Sequence, residues 1–343
     1  MNFKSARPHL LHIIFFKVVF LFGSAAHAQS SFKIAFGSCS HQHDGEQMWA
    51  EVLQQKPNLW MWIGDNIYAD THNMDSMKMF YAIQKSHPDY QKMLKAMSII
   101  GTWDDHDYGV NDGGKYFSKK NESKEKLLEF LDVPAKAEVR KHAGVFQSYT
   151  YGSGKQKIKI ILLDTRSFRD TLAGSIENDN GYGANADGDI LGDEQWSWLE
   201  NELQTSDAKL HIIASSIQFL SNQHNFEKWG NFPKARQRMF DLLERLKPVN
   251  AFFVSGDRHI AEISKIKLAG LKYPLYDFTS SGLTHTWSEQ SKESNALRIG
   301  DLIIQKNYGL INVDWRKKGP LVTLQVRGNN NSLHAEEKID FGK

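Results

Sequence analysis

Short apolar runs alternate with amphipathic stretches along most of this chain, which is the pattern of an α/β protein. The run Leu59–Ile63 is apolar throughout, as expected of a strand that is buried on both faces. The predicted strands are Phe32–Phe36, Leu59–Ile63, Ser98–Ile100, Val145–Tyr151, Lys157–Leu163, Leu210–Ile217, Asn250–Val254, Tyr276–Phe278 and three more between Tyr308 and Asp340. The predicted helices are Glu46–Gln55, Asp75–Met97 with a break near Pro88, Glu122–Leu131, Glu194–Gln204 with Asp193 as its cap, and Lys234–Leu246.

The loop that follows the third predicted strand, Gly101–Gly114, carries a dense cluster of titratable side chains. Residues 104–107 are Asp-Asp-His-Asp in consecutive positions. Like charges at this spacing repel one another, and a bound cation is the usual way to neutralise them. A solvated acidic turn is the ordinary alternative, since Asp and Gly favour turns. The adjacent Trp103 and the embedded histidine favour a functional site.

Other predicted strands also end in loops that carry side chains able to bind metal. Cys39 follows the first strand, Asp65 follows the second, and Asp257 and His259 follow the strand that ends at Val254. Taken singly, each residue has an ordinary structural explanation, such as a small core cysteine or a turn aspartate. Sites in layered α/β folds gather at the carboxyl ends of strands, so the repeated placement indicates one shared site.

The first 28 residues differ in character from the rest of the chain. Lys4 and Arg7 precede a short apolar run at residues 10–22, and Ala26-His27-Ala28 has the small-x-small form of a cleavage site. We therefore predict a signal peptide at residues 1–28 and a single domain at residues 29–343, and we expect an exported protein, periplasmic or secreted. An uncleaved membrane anchor is the alternative, but a spanning helix needs about 20 apolar residues.

The net charge should be judged without the predicted signal peptide. The whole chain has 42 basic and 40 acidic residues, and three of the basic ones lie in the leader. The remaining chain is nearly neutral, which gives no indication of a nucleic-acid-binding surface.

Cys39 is the only cysteine, so it cannot form an internal disulfide. A lone thiol in an oxidising compartment is a liability unless it is buried or bound to metal.

Seven ordered segments of the chain resemble the PhoD-like alkaline phosphatase family, a branch of the calcineurin-like metallophosphoesterases. They are GSC at Gly37–Cys39, GDNIYAD at Gly64–Asp70, TWDDHDYGVND at Thr102–Asp112, LLDTRSFRD at Leu162–Asp170, LGDEQWSWLE at Leu191–Glu200, SGDRH at Ser255–His259 and TSSGLTHTW at Thr279–Trp287. The resemblance implies a four-layer α/β/β/α sandwich of the metallophosphoesterase type. It also implies a dinuclear metal site between the ends of the two sheets.

The resemblance further implies roles for individual residues. The implied metal ligands are Cys39, Asp65, Tyr68, Asp105, Asp257 and His259, and the implied catalytic residues are His106, Arg166 and His285. Asp65 would bridge both ions, and His106 would protonate the leaving oxygen or stabilise its developing charge. One histidine ligand of the wider superfamily has no obvious counterpart here, and Gln218 is the nearest candidate.

Two of the implied catalytic residues, Arg166 and His285, would hold the phosphoryl oxygens of the substrate. Arg166 is equally well explained as a structural partner of Asp164, and the sequence leaves both interpretations open. Asp104 and Asp107 would orient the site through hydrogen bonds, in the manner of residues that support metal ligands.

The donor types favour two different metal ions. Thiolate and phenolate ligands at Cys39 and Tyr68 suit a hard trivalent ion such as Fe³⁺, whereas an all-carboxylate site suits Ca²⁺ or another hard divalent ion. We expect an enzyme that hydrolyses phosphate monoesters, diesters or both, with a phosphate ester as its partner. The alternatives are a phosphodiesterase that acts on phospholipids or wall polymers, a non-catalytic metal-binding surface protein and, from the nine tryptophans, a carbohydrate-binding protein.

Overall fold

The computed structural model describes residues 31–174, 181–287 and 293–343, and the predicted signal peptide at residues 1–28 lies outside the described residues. The strands are β1 Ser31–Gly37, β2 Leu59–Ile63, β3 Ser98–Thr102, β4 Gln147–Tyr151, β5 Ile158–Leu162, β6 Ala173–Gly174, β7 Tyr182–Gly183, β8 Leu210–Ser215, β9 Ala251–Ser255, β10 Ala261–Ile266, β11 Leu275–Ser280, β12 Arg298–Ile303, β13 Tyr308–Trp315, β14 Pro320–Arg327 and β15 Leu333–Asp340. The α-helices are α1 Trp49–Gln54, α2 Met74–Ser86, α3 Pro88–Ala96, α4 Asp105–Tyr108, α5 Lys120–Phe130, α6 Gly192–Gln204 and α7 Pro233–Leu246. Across these three ranges, no helix combines the length and apolar character needed to cross a bilayer.

The strands form two large mixed sheets and one short ribbon, β6–β7. The six-stranded sheet has the order β15-β14-β13-β1-β2-β3, in which β1, β2 and β3 are mutually parallel. The seven-stranded sheet has the order β12-β10-β11-β9-β8-β5-β4, and its central strands β11, β9, β8 and β5 are parallel. Parallel strands end at the same edge of a sheet, so each sheet gathers several loops at one edge.

The two sheets pack face to face, and each carries a helical layer on its outer side. In β2, Leu59, Met61 and Ile63 contact the core between the sheets, whereas Trp60 and Trp62 pack outward against helices. This division follows from the alternation of side chains along a strand. Helices α1, α2, α3 and α5 cover the six-stranded sheet, and α6 and α7 cover the other. The predicted four-layer α/β/β/α sandwich is confirmed.

The starts of two helices test the sequence prediction at single residues. The break near Pro88 is confirmed, because α3 begins at that proline. The prediction that Asp193 caps α6 is wrong, since the helix begins at Gly192 and the Asp193 side chain is 99% exposed within the first turn. Asp189 instead accepts hydrogen bonds from the backbone N–H groups of Ile190 at 2.8 Å and Gly192 at 2.9 Å. An acid earlier in the chain therefore orders the start of this helix.

The sequence pattern does not predict β10 and β12, and a partly buried ion pair between them explains why. Glu262 on β10 is fully buried and accepts a hydrogen bond from Nε of Arg298 on β12 at 2.5 Å. Glu262 lies on the face of β10 opposite Ala261 and Ile263, and that face is buried as well, so its charge gives the stretch the polar character of a loop. The pairing partner, 36 residues away, cannot be recognised from the local sequence.

Candidate metal centre and active site

One edge of the sandwich collects the strand-end residues predicted as metal ligands. Cys39, Asp65 and Asp105 follow β1, β2 and β3, and Asp257 and His259 follow β9 of the other sheet. The Cys39 thiol donates a hydrogen bond to the backbone carbonyl of Asp257 at 3.5 Å. The loops of the two sheets therefore meet at this edge.

Four of these residues have a left-handed backbone conformation, which is uncommon for any residue that carries a side chain. The φ angle is 59° at Cys39, 46° at Asp65, 68° at Asp257 and 53° at His259. Such conformations cost on the order of 1–3 kcal/mol each, and they concentrate at functional sites where the surrounding structure imposes them. Their occurrence together supports a functional site rather than a set of ordinary turns.

Gly64 allows the loops that follow β2 and β3 to approach closely. Its φ angle is 105°, and a Cβ atom at this position would lie only 2.4 Å from Cβ of Asp104. Glycine alone satisfies both the backbone conformation and the close contact. The Gly64-Asp65 pair therefore brings Asp65 beside the acidic loop after β3.

The first candidate metal site is the mixed-donor group, which consists of Cys39, Asp65, Tyr68 and His259. The ligand atoms of Cys39, Asp65 and His259 all lie within 4.8 Å of one another. Sγ of Cys39 is 3.4 Å from Oδ2 of Asp65, and Oη of Tyr68 is 3.0 Å from Nε2 of His259. The structure thus brings together a thiol, a carboxylate, a phenol and an imidazole, which are the residues that the family resemblance implied.

The second candidate metal site is the carboxylate group, whose oxygens lie within 4.8 Å of one another. Its members are Asp65, Asp104, Asp105 and Asp257. Asp65 belongs to both groups, which is the position that a bridging ligand requires. Asp104, predicted only to orient the site, has its carboxylate among the candidate ligands.

The charge state of the carboxylate group indicates that it needs a cation. Burial raises the pKa of Asp65 and of Asp257 well above the ordinary range, and the Asp105 carboxylate adds to both shifts. Burial also raises the pKa of Asp104 to about 7. Among the described residues, Oδ1 of Asp65 and Oδ2 of Asp104 are buried without a hydrogen-bond partner. A cation would supply both the charge and the missing partner, so these residues fit a metal centre.

Asp107 connects the loops that carry the carboxylates. It accepts hydrogen bonds from the backbone N–H of Asp104 at 2.7 Å, from that of Asp65 at 3.2 Å and from Nδ2 of Asn66 at 2.6 Å. Burial raises the pKa of Asp107 to about 8. Its contacts agree with the orienting role predicted for it.

One ring nitrogen of His106 lies within 4.8 Å of carboxylate oxygens of Asp65 and Asp105, and the ring is held by an acid that has no role in the sequence prediction. Nδ1 of His106 is 2.7 Å from Oδ2 of Asp70, and its ring centroid is 4.2 Å from that of Tyr68. Burial lowers the pKa of His106, but the charge of Asp65 and the hydrogen bond to Asp70 outweigh burial and raise it to about 11. Asp70 lies in the same GDNIYAD segment as Asp65, and that proximity is the one sequence signal for it.

Arg166 is held by carboxylates other than Asp164. The side chain is fully buried, Nε donates to Oδ1 of Asp104 at 2.5 Å, and NH1 lies 2.6 Å from Oε2 of Glu227. Asp164 contacts only the backbone N–H of Arg166, at 2.9 Å, and not its guanidinium. In this geometry Arg166 supports Asp104, and its contact with a phosphoryl oxygen stays a prediction. Glu227 has no role in the sequence prediction.

His285 lies beside the mixed-donor group. Its Nε2 atom is 3.1 Å from Oη of Tyr68, and its Nδ1 atom is 2.9 Å from Oγ1 of Thr284. Burial lowers the pKa of His285, which favours the neutral imidazole. An open cleft of about 480 Å³, lined also by His41 and His43, adjoins this side of the site.

Gln218 is the weakest of the predicted ligands. Its side-chain nitrogen donates to Oε1 of Glu262 at 2.7 Å and to Oγ1 of Thr279 at 2.8 Å, both in the seven-stranded sheet. Its Oε1 atom has no hydrogen-bond partner among the described residues. Metal ligation by Gln218 stays a prediction.

A second cleft, of about 290 Å³, adjoins the carboxylate group. Asp105, His106 and Asp257 line one part of it. Aromatic side chains line another part, where Phe226 and Trp287 make an edge-to-face contact with ring centroids 4.9 Å apart. The cleft therefore combines candidate metal ligands with an apolar wall.

A sandwich of two mixed sheets with candidate metal ligands at adjoining strand ends is a fold of the metallophosphoesterase type. The chain belongs to the PhoD-like phosphatase family, because the family's sequence model matches residues 34–323. Members of this family are hydrolases that act on phosphoric esters.

Individual relatives agree with this assignment. Alkaline phosphatase D of Bacillus subtilis is 23% identical over 296 residues, which cover 72% of this chain and 51% of that protein. The chain thus spans about half the length of this curated relative. The solved structure of PhoD matches with a TM-score of 0.70 at 18% identity, covering 91% of this chain and 72% of that one. A dimetal phosphatase from Danio rerio matches with a TM-score of 0.55 at 10% identity, covering 90% and 99% respectively.

Proposed function

We propose that this protein is an exported metal-dependent phosphoesterase that hydrolyses phosphate monoesters, diesters or both through a dinuclear metal centre. The observation that carries the proposal is that Asp65 belongs to both the mixed-donor group and the carboxylate group. Two ions about 3.5–4 Å apart are the arrangement that clamps a phosphoryl group during displacement. The dimetal phosphatase among the structural neighbours supports this interpretation.

The two groups suit different ions. The thiol and phenol of Cys39 and Tyr68 favour Fe³⁺ in the mixed-donor group, and the carboxylate group favours Ca²⁺ or another hard divalent ion. When bound, such ions polarise the phosphoryl oxygens and lower the pKa of coordinated water. Burial raises the pKa of both Cys39 and Tyr68 well above their ordinary values, so each is protonated in the metal-free protein. Loading the site therefore releases protons.

His106 is the residue placed to move a proton during hydrolysis. Asp70 holds Nδ1 and fixes the ring, which leaves Nε2 to donate a proton to the leaving alkoxide. The carboxylates of Asp65 and Asp105 lie close to His106 and favour its charged form. A protonated imidazole is the state that a general acid needs.

The cleft with the aromatic wall favours a second candidate, a phosphodiesterase with little monoesterase activity. A phosphate diester carries a second organic group, and Phe226 and Trp287 offer an apolar surface for it beside the carboxylate group. A phosphate monoester does not need such a surface.

The experiment that tests the proposal compares hydrolysis of an aryl phosphate with hydrolysis of a bis-aryl phosphate, on purified protein whose metal content has been measured. We expect turnover of at least one substrate, together with two metal ions per chain. Faster turnover of the diester by a factor of about 100 or more would favour the phosphodiesterase. Two bound ions without turnover of either substrate would instead indicate a non-catalytic metal-binding protein.

Export is tested separately, by determining the N-terminal sequence of the protein recovered from an expressing bacterium. We expect the mature chain to begin at Gln29, outside the cytoplasm, because Ala26-His27-Ala28 has the form of a cleavage site. A cytoplasmic protein that retains Met1 would contradict export and leave the catalytic proposal intact.

A further inference from the structure

A separate cleft lies at the edge of the sandwich opposite the metal centre. The parallel strands β5, β8 and β9 begin at this edge and end at the metal edge. Gln156, Lys209 and Asn250, which lie just before these strands, line the cleft. Strands of five or six residues span about 17–20 Å, so the cleft and the metal centre are distinct sites.

The six-stranded sheet supplies the other wall of this cleft. β13 runs antiparallel to β1, so Trp315 at its end lies at the edge away from the metal centre. The turn 316–319 and Phe341, which follows β15, complete the wall. The cleft has a volume of about 570 Å³. Sites for small organic ligands have volumes of roughly 300–1,000 Å³, so this cleft has the size of such a site.

The charged side chains that line the cleft are all cationic. Its lining includes five basic side chains from three separate segments, namely Lys155, Lys209, Arg316, Lys317 and Lys318, and no carboxylate. Arg316 lies 3.3 Å from Asp314, whereas the four lysines have no carboxylate within 4.0 Å among the described residues. By contrast, the nearby Lys157 pairs with Asp207 at 2.5 Å. Since the chain has 42 basic and 40 acidic residues, this local excess does not reflect general basicity.

Apolar side chains form another part of the lining. Trp315, Pro320, Phe341 and Val249 face the cleft, and Val249 is 45% exposed. Water covers this apolar surface unless a ligand displaces it. A cleft lined by both lysines and apolar side chains is complementary to an amphiphilic anion, with its phosphate groups on the lysines and its organic part on the apolar side chains.

We propose that this cleft binds a small organic ligand that carries two or more phosphate groups, of the nucleoside polyphosphate class. Four lysines that have no carboxylate within 4.0 Å among the described residues favour a ligand with several negative charges over one with a single charge. The concave shape fits a compact ligand better than the flat surface of a lipid bilayer. The proposal rests on this cleft alone and is independent of the activity proposed for the metal centre.

The test measures binding of β,γ-imido-ATP, which resists cleavage between its terminal phosphates, by isothermal titration calorimetry of the metal-loaded full-length protein. The test variant is Lys317→Glu/Lys318→Glu. The matched control is Lys78→Glu/Lys95→Glu, which makes the same charge change at exposed lysines of α2 and α3. We expect the test variant to weaken binding by about tenfold or more, because two attractive charges become repulsive. The control should stay within about twofold of wild type.

A third variant examines the apolar floor. Val249→Ser should weaken β,γ-imido-ATP by about twofold to threefold and leave binding of inorganic imidodiphosphate unchanged, since only the former has an organic part. Hydrolysis of an aryl phosphate should be the same in all three variants, and their thermal unfolding should match wild type because the substituted side chains are exposed.

Three results would overturn the proposal. The first is equal affinity of the test and control double variants for β,γ-imido-ATP, which would place the ligand elsewhere. The second is an unchanged nucleotide affinity in Val249→Ser. The third is lysine-dependent binding of wild type to phosphatidylglycerol vesicles without binding of β,γ-imido-ATP, which would identify this edge as a membrane contact.

Discussion

The two halves of the candidate metal centre share Asp65 but are built from different chemistry. In the mixed-donor group, burial raises the pKa of Cys39 and Tyr68 and lowers that of His259 to about 3, so all three side chains are neutral without metal. In the carboxylate group, burial raises the pKa of most members. The exception is Asp105, whose pKa lies below its ordinary value because Arg166, His106 and backbone hydrogen bonds outweigh burial. Neutral donors tolerate burial without a counter-ion, whereas clustered carboxylates do not. The two halves should therefore respond differently when the metal is removed or a single ligand is changed.

The largest effect should follow from Asp65→Asn, because this change weakens the ligand that both halves share. We expect loss of both ions and a fall in activity of roughly 1,000-fold or more. Elemental analysis and steady-state kinetics measure the two effects. Asp193→Asn makes the same chemical change at an exposed position of α6 and should behave as wild type. Two retained ions in Asp65→Asn would show that the halves are independent.

The second largest effect should follow from His106→Ala, which we expect to lower kcat by about 100-fold without changing the metal content. In the proposed reaction His106 supplies a proton to the leaving group, and one of its ring nitrogens lies within 4.8 Å of carboxylate oxygens of Asp65 and Asp105. Comparing an aryl phosphate with an alkyl phosphate sharpens the test. The alkyl ester should suffer the larger loss, because its poorer leaving group depends more on protonation. Wild-type activity in His106→Ala would exclude the catalytic role.

Asp70→Asn should have a smaller effect, about tenfold on kcat, because Asp70 positions His106 and does not itself contact either metal group. Loss of the Asp70 charge and hydrogen bond lowers the pKa of His106, so the alkaline limb of the kcat–pH profile should move to lower pH. Asp75→Asn, at an exposed position on α2, is the matched control. An unshifted alkaline limb would contradict the positioning role.

The smallest effect concerns the pH dependence of stability in the metal-free protein. Burial raises the pKa of Asp104 to about 7 and that of Asp107 to about 8. An unfolded Asp has a pKa of about 3.9, so between about pH 4 and pH 8 the folded state holds more protons than the unfolded state. The stability that comes from keeping these two carboxyl groups protonated is fully present below about pH 4. It is lost as the pH rises through 8.

The measurement is the melting temperature of metal-free and metal-loaded protein between pH 5 and pH 8. We expect the metal-free form to lose about 5 °C or more over this range and the loaded form to lose less. The reason is that a bound cation keeps Asp104 ionised and removes the cost of deprotonation. Parallel slopes for the two forms would show that the metal does not interact with these carboxylates.

The layers of the fold could be predicted from sequence because burial follows local periodicity. The uninterrupted apolar run Leu59–Ile63 predicts a strand buried on both faces. In the structure its side chains alternate between the core that separates the two sheets and the core beneath the helices. β10 and β12 could not be predicted, because each strand carries one partner of the partly buried ion pair Glu262–Arg298, and a charged residue does not indicate a strand inside a sandwich. An ion pair of this kind can be recognised only when the fold shows that the two strands are adjacent.

The residues of the candidate site could also be predicted only in part. Cys39, Asp65 and Asp257 could be found because each directly follows a recognisable strand, and parallel strands bring their ends together. Asp70 and Glu227 could not be given roles, because their partners lie 36 and 61 residues away in sequence. The position of an ordinary acid in the chain does not reveal which buried cation or imidazole it will contact.

The metal content of two single-ligand variants, one from each half, decides whether the centre has two chemically distinct sites. Wild-type protein should contain two ions per chain, one of them iron. Cys39→Ser should lose the iron and retain the second ion, whereas Asp257→Asn should lose the second ion and retain the iron. Elemental analysis of both variants, purified beside wild type, gives the answer. Loss of the same ion in both variants, or a wild-type protein with fewer than two ions, would contradict a centre made of two chemically distinct halves.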